Sequence, residues 1–214
     1  GRYSCRQLLE GFQKDALSGV SARFQQAVAA ARRTLADTRD PQQCDILLDK
    51  ACYEEMARLA EDCASPFLKG YVRLCADTAN LRTAVRVARM GKGSDFLLHV
   101  LLPGGSVAES ALAAARPEDL GSLFQAGALE KAARLGARAA QPDGGPLLAF
   151  ERECDNALTR YVAAAKRVPF GEEPVIAFLH AKDAELTAVR TILSGRRAGL
   201  DEAMIWERLR ECYV

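Results

Sequence analysis

The chain has 214 residues, of which 49% are hydrophobic and 27% are charged, so it can build one large domain or two smaller ones. Its 29 basic and 28 acidic side chains leave a net charge of +1, and this balance does not favour nucleic acid or an anionic membrane as a partner. The longest apolar stretch, residues 96–102, is far shorter than the roughly 20 residues that span a bilayer. With no signal-peptide pattern either, we expect a soluble protein.

Helical patterns dominate the first half of the chain. Alanine, leucine, arginine and glutamate are abundant and β-branched clusters are scarce, which favours helix nearly everywhere. Apolar residues recur at steps of three and four and predict helices at residues 20–35, 46–60 and 67–90. Asp40-Pro41 predicts a break, and the run Gly91-Lys92-Gly93-Ser94 predicts a helix end.

The second half predicts several short helices and then a long hairpin. A turn at residues 103–106 precedes short helices, and a Gly- and Pro-rich breaker at 141–146 follows them. The short helices are predicted at 107–115, 117–125 and 128–140, the hairpin at 147–167 and 175–193, and a final amphipathic helix at 200–213. No segment predicts a strand pair, so the expected fold class is all-α.

The same short motifs occur twice in the same order. The first set matches the second in four places: Asp49-Lys50-Ala51 with Asp155-Asn156-Ala157, Pro66-Phe67 with Pro169-Phe170, Asp77-Thr78-Ala79-Asn80-Leu81-Arg82 with Glu185-Leu186-Thr187-Ala188-Val189-Arg190, and Gly91-Lys92 with Gly195-Arg196. Asp155 lies 106 residues after Asp49, and Arg190 lies 108 residues after Arg82. This near-constant offset predicts two similar helical lobes. We expect them at residues 1–100, with a hairpin at about 43–90, and at 101–214, with a hairpin at about 147–195.

The repeated acids and arginines suggest a pattern of ion pairs. Arg82 and Arg190 each follow an acid, Asp77 or Glu185, by five residues, whereas an intrahelical ion pair needs a step of three or four. We therefore expect each arginine to reach the acid that opens the preceding helix. For Arg82 that acid is Asp49, and for Arg190 it is Asp155.

The sequence offers no combination of residues typical of an active site. Histidine-dependent catalysis would need His99 or His180, and neither lies near a nucleophile pattern. Zinc and calcium motifs are absent, and the seven cysteines include no C-x-x-C pair. We expect structural thiols in a reducing, cytosolic compartment, and no catalytic residue, cofactor or metal site.

A row of basic residues supports an alternative function. Arg82, Arg86, Arg89 and Lys92 share one helical face, which could grip nucleic acid or an acidic partner. The alternative is therefore a helical scaffold or a nucleic-acid-binding adaptor. Two observations argue against this alternative. Exposed cations near the C-terminus of a helix also stabilise the helix dipole, and no aromatic residues that could stack on bases accompany the row.

These motifs together resemble the C subunit of A/V-type ATP synthases, which is called the d subunit in the eukaryotic vacuolar enzyme. The clearest similarity is C-terminal, where a Pro-Phe-Gly turn at 169–171 precedes a helix and the chain ends Arg208-Leu209-Arg210-Glu211-Cys212-Tyr213-Val214. The middle of the chain is also similar, at residues 49–55, 66–68 and 77–82. One departure is Ala188, which stands where the family usually has asparagine. The family is also longer, with three such lobes, and the resemblance implies that this chain starts after the first.

The resemblance implies a part in a rotary motor. It implies a funnel-like helical protein on the cytoplasmic side of the membrane, which holds the central shaft and caps the membrane rotor ring. Its partners would be the shaft and ring subunits, and its task noncatalytic coupling for transport of either protons or sodium ions. The motif positions then have structural roles; they are Asp49, Pro66, Asp77, Asn80, Arg82, Asp155, Pro169, Glu185 and Arg190.

Overall fold

A computed structural model describes residues 3–14 and 19–213 of the chain. Within these residues the structure contains helices and no strand, which confirms the all-α class. The α-helices are α1 Cys5–Lys14, α2 Ala22–Thr38, α3 Pro41–Asp62, α4 Pro66–Arg89, α5 Ser94–Val100, α6 Glu109–Ala114, α7 Leu120–Leu123, α8 Glu130–Ala139, α9 Leu148–Ala163, α10 Glu173–Arg197 and α11 Glu202–Arg208. Short 3-10 helices cover Pro117–Asp119 and Ala164–Arg167.

Local capping explains where the long helices start. The side chain of Asp40 accepts a hydrogen bond from the backbone N–H of Gln42 at 2.9 Å and opens α3. Ser65 accepts one from Leu68 at 3.2 Å and opens α4. In both helices a proline follows the cap, where its missing N–H costs nothing. Pro66 therefore starts α4.

Two short helices were not predicted, and one predicted helix is too long. The two unpredicted helices are α1 and α5, which have ten and seven residues. The expected helix at 200–213 ends at Arg208, because Leu209 is extended and the residues after it bind α9 instead. Val214 lies outside the described residues.

The main core lies between α4 and α9 and includes α5 to α8. Leu81 and Val85 of α4 are fully buried, and Phe150 of α9 is 1% exposed. A Cβ on Gly136 of α8 would stand 2.9 Å from both Phe150 and Val85, so only glycine allows α8 to approach this closely. This core crosses residue 100, and the division into two similar lobes stays a prediction.

Candidate functional site

Ion pairs join α4 to α9. Arg82 Nε lies 2.8 Å from Glu151 Oε2, and Arg82 Nη2 lies 2.5 Å from Asp155 Oδ1. Arg86 Nη2 lies 2.7 Å from Glu151 Oε1. The two arginines and the two carboxylates are each spaced by four residues, so each pair occupies one face of its helix. We call Arg82, Arg86, Glu151, Asp155 and Arg210, described next, the α4–α9 ion network.

The C-terminal tail, residues 209–213, completes the network. Arg210 Nε lies 2.8 Å from Asp155 Oδ2, so one carboxylate bridges α4 to the tail. The backbone N–H of Glu211 donates to Asn156 Oδ1 at 2.9 Å, and the Glu211 carboxylate pairs with Arg160. These contacts replace the helical hydrogen bonds that the tail would otherwise make.

Partial burial strengthens the network. The side chain of Arg82 is 22% exposed and that of Glu151 is 19% exposed. Burial opposes the charge on Arg82, but the hydrogen bond to Asp155 and the nearby negative charges of Asp155 and Glu151 together outweigh burial and raise the pKa of the guanidinium. Charges that are shielded from water attract more strongly than surface charges. The network therefore restrains α4, α9 and the tail relative to one another.

A second acid lies beside the network on α9. Glu153 is buried, and its carboxylate lies 2.5 Å from Arg160 Nη1 and 2.8 Å from Lys131 Nζ. Burial raises the pKa of Glu153, but the hydrogen bonds and the positive charges of these two cations together outweigh burial and hold the pKa below its usual value. Through Lys131 this acid also links α8 to α9.

Asp77 and Asn80 of α4 hold the loop that follows α5. Asn80 Oδ1 accepts from the N–H of Leu102, and Asn80 Nδ2 donates to the carbonyl of Leu102, each at 2.7 Å. Asp77 Oδ1 accepts from the N–H of Ser106 at 2.7 Å, and Oδ2 accepts from its hydroxyl at 2.5 Å. A Cβ on Gly105 would collide with Asp77 Oδ1, so the loop passes too close for any larger residue.

The expected pairing of Arg82 with Asp49 and of Arg190 with Asp155 is wrong. Arg82 binds Asp155, the acid of the other half of the chain, because α4 packs directly on α9. Asp155 has Arg82 and Arg210 as its partners. Asp49 lies exposed on α3, and Arg190 lies exposed on α10.

Two further motif positions lie away from the network. Pro169 is exposed in the segment between the 3-10 helix Ala164–Arg167 and α10. Glu185 is exposed on α10, and its carboxylate lies 2.8 Å from Lys182 of the same helix. The structure thus brings together Asp77 with Asn80, and Arg82 with Asp155, but not the motif positions on α10.

The cations of the basic row contact other parts of the chain, and the nucleic-acid alternative stays a prediction. Arg82 and Arg86 form the ion pairs described above. Arg89 donates to the carbonyl of Gly145 at 2.7 Å, and Lys92 lies 5.8 Å from the ring centre of Phe96. These cations brace α4 against its neighbours.

Sequence reasoning missed two acids and an asparagine of α9 and the tail arginine. Glu151, Glu153, Asn156 and Arg210 were not singled out, although Glu151 and Asp155 repeat the four-residue step of Arg82 and Arg86. Because the arginines and the acids have the same four-residue spacing, this spacing could have predicted ion pairs between the two helices. Asn156 follows Glu153 by three residues, just as Asn80 follows Asp77, and each asparagine secures an irregular segment.

The described residues contain no group of three or more potential metal ligands. His99 Nε2 lies 3.0 Å from Gln43 Oε1, and His180 Nε2 lies 3.0 Å from Thr159 Oγ1. Burial lowers the pKa of His180. Both histidines thus have hydrogen-bond partners on a neighbouring helix.

The cysteines divide into buried and exposed thiols. Cys44 and Cys154 are buried and Cys75 is partly buried, while Cys52 and Cys63 are exposed, so the expected packing role fits only some of them. Burial raises the pKa of Cys154 to about 12. Along residues 3–14 and 19–213, no helix is both long enough and apolar enough to cross a membrane.

Fold and site define an all-α protein in which motif residues hold helices and loops together. The chain belongs to the ATP synthase (C/AC39) subunit family, whose model matches residues 14–208. This membership confirms the resemblance seen in the sequence motifs.

The curated relatives of this chain are C subunits of V-type and A-type ATPases or ATP synthases. The C subunit of the V-type ATP synthase of Thermus thermophilus is 30% identical over 183 residues, which cover 84% of this chain and 53% of that protein. The C subunit of the V-type sodium ATPase of Enterococcus hirae is 24% identical, over 80% of this chain and 52% of that protein. The C subunit of the A-type ATP synthase of Haloferax volcanii is 30% identical, over 72% of this chain and 45% of that protein. The chain thus spans about half the length of these relatives, and no solved structure matched it.

Proposed function

We propose that the chain is part of a noncatalytic subunit of the central stalk of a rotary V/A-type ATPase or ATP synthase. There it couples the central shaft to the membrane rotor ring, on the cytoplasmic side, during proton or sodium transport. The observation that carries the proposal is membership of the ATP synthase (C/AC39) subunit family over residues 14–208. The names of the relatives, which are C subunits of V-type and A-type enzymes, support the same assignment.

The internal bracing suits a part that transmits torque. A coupling subunit must resist relative movement of its helices under load. The α4–α9 ion network joins two long helices and the tail. Asn80 holds the loop after α5, and Asn156 holds the tail, each by hydrogen bonds to the backbone. Because packed interiors have low compressibility, a braced bundle passes strain on rather than absorbing it.

Affinity purification from native membranes tests the proposal. The full protein containing this chain is tagged, and the retained subunits are identified by mass spectrometry. We expect shaft and ring subunits to be retained. We also expect that depletion of the protein abolishes ATP-driven ion uptake by membrane vesicles, while ATP hydrolysis by the soluble head continues. Absence of ATPase subunits, or steady ATP hydrolysis by the isolated protein, would refute the proposal.

A further inference from the structure

Helix α10 carries its large apolar side chains on the side away from the protein. Its buried residues are the small Ala177 and Gly195, and a Cβ on Gly195 would lie 2.7 Å from Ile205 of α11. Its exposed residues include large ones; their exposed fractions are 57% for Val175, 59% for Leu179, 54% for Leu186, 48% for Val189 and 62% for Leu193. A helix that only covers its own core shows the reverse arrangement.

The spacing of the exposed residues indicates what kind of surface they fit. Steps of four and three alternate through the series Val175, Leu179, Lys182, Leu186, Val189 and Leu193, which we call the α10 seam. Five of these residues are apolar, and Lys182 is charged. This 3.5-residue repeat is the pattern by which one α-helix packs along another. The seam is about 27 Å long at 1.5 Å per residue, which matches a partner helix of about five turns.

The charged residues beside the seam indicate which charges a partner helix would carry. Arg190, Arg196 and Arg197 are exposed on the C-terminal half of α10, and none of them forms an ion pair with another described residue. The arginines of the α4–α9 ion network, by contrast, all bind acids of this chain. A partner with carboxylates opposite this half would complement the three charges.

Acidic residues on both sides of the seam disfavour an anionic lipid surface. Asp183 and Glu185 are exposed near the middle of the seam, where an anionic headgroup layer would repel them. Phe178, which is 59% exposed, lies beside the seam and extends its apolar surface.

We infer that α10 docks an amphipathic α-helix of another subunit of the rotary complex. The partner helix packs its apolar residues between those of the α10 seam and places carboxylates near Arg190, Arg196 and Arg197. This inference rests on the proposed function, which puts the chain between two other components rather than against a second copy.

Purification of the complex from native membranes tests the seam with matched variants of the full protein. The seam variant carries Leu186→Glu and Leu193→Glu. The control variant carries Thr187→Glu and Ser194→Glu, which add the same charge at exposed positions one residue further along α10. We expect the seam variant to lose at least about tenfold of the retained partner, equivalent to about 1.4 kcal/mol, and the control to retain it. Thermal unfolding of the purified seam variant should match the wild type, since both leucines are exposed.

Photo-crosslinking identifies the occupant. A photoreactive amino acid at Val189 should capture a helical segment of another subunit that is rich in acidic residues, whereas the same group at Thr187 should capture much less. Equal retention by the seam and control variants would overturn the inference while leaving the proposed function in place. Capture of another segment of the full protein itself, capture of a second copy, or seam-dependent binding to anionic vesicles would also overturn it. If the wild type retains no ATPase subunit, the proposed function itself fails.

Discussion

Replacement of Arg82 by alanine removes the centre of the α4–α9 ion network. Glu151 and Asp155 lose their shared partner, although Arg86 and Arg210 remain beside them. Hydrogen bonds to charged groups contribute about 1.5–3 kcal/mol each when shielded and at most about 1 kcal/mol on the surface. Since Arg82 is 22% exposed and its acids keep one cation each, we expect a loss of about 2–3 kcal/mol.

Thermal and urea unfolding measure this loss. A protein of this size loses about 2–4 °C in Tm per kcal/mol, so Arg82→Ala should lower Tm by about 4–12 °C. Arg86→Ala is the matched control. Its side chain is 59% exposed, and its removal should cost less than about 1 kcal/mol. Arg82→Lys should recover only part of the stability, because lysine cannot bridge two carboxylates with a fixed fork.

A double-mutant cycle tests which acid Arg82 binds. Arg82→Ala combined with Asp155→Ala should show a coupling energy of about 1–3 kcal/mol. Combined with Asp49→Ala, the coupling should be within about 0.5 kcal/mol of zero. A larger coupling to Asp49, or equal losses for Arg82→Ala and Arg86→Ala, would refute the argument from the structure.

Three further measurements test other contacts. Asn80→Ala leaves the backbone N–H and carbonyl of buried Leu102 unpaired, so it should lower the free energy of unfolding in urea by about 2–4 kcal/mol. A loss below about 1 kcal/mol would contradict the role of Asn80 in holding this loop. The folded-state pKa of Glu153 lies below the unfolded value of 4.5, so its stabilisation is complete above about pH 4.5 and is lost as pH falls through the folded pKa. The stability difference between wild type and Glu153→Gln should therefore shrink in acid, and a constant difference would argue against the shift. At pH 8 a thiol reagent should leave buried Cys154 unmodified until the protein unfolds, and rapid labelling of the folded protein would contradict its burial.

Local signals in the sequence predicted most helices but not their partners. Asp40-Pro41 was predicted as a break and caps the start of α3, because capping and proline geometry act within a few residues. The final helix was predicted too long, because Leu209 to Tyr213 carry a helical pattern that contacts with Asp155 and Asn156 override. Periodicity identifies the face of a helix, but it does not say which other helix covers that face.

The sequence by itself determined the all-α class, the bounds of the long helices to within about five residues and, through its motifs, the family. Only the tertiary structure decided that Arg82 binds Asp155 rather than Asp49, and that the tail lies along α9. The physical reason is the range of the interactions. Helix propensity and capping act over a few neighbouring residues, whereas an ion pair between residues 82 and 155 forms only once α4 and α9 have packed together.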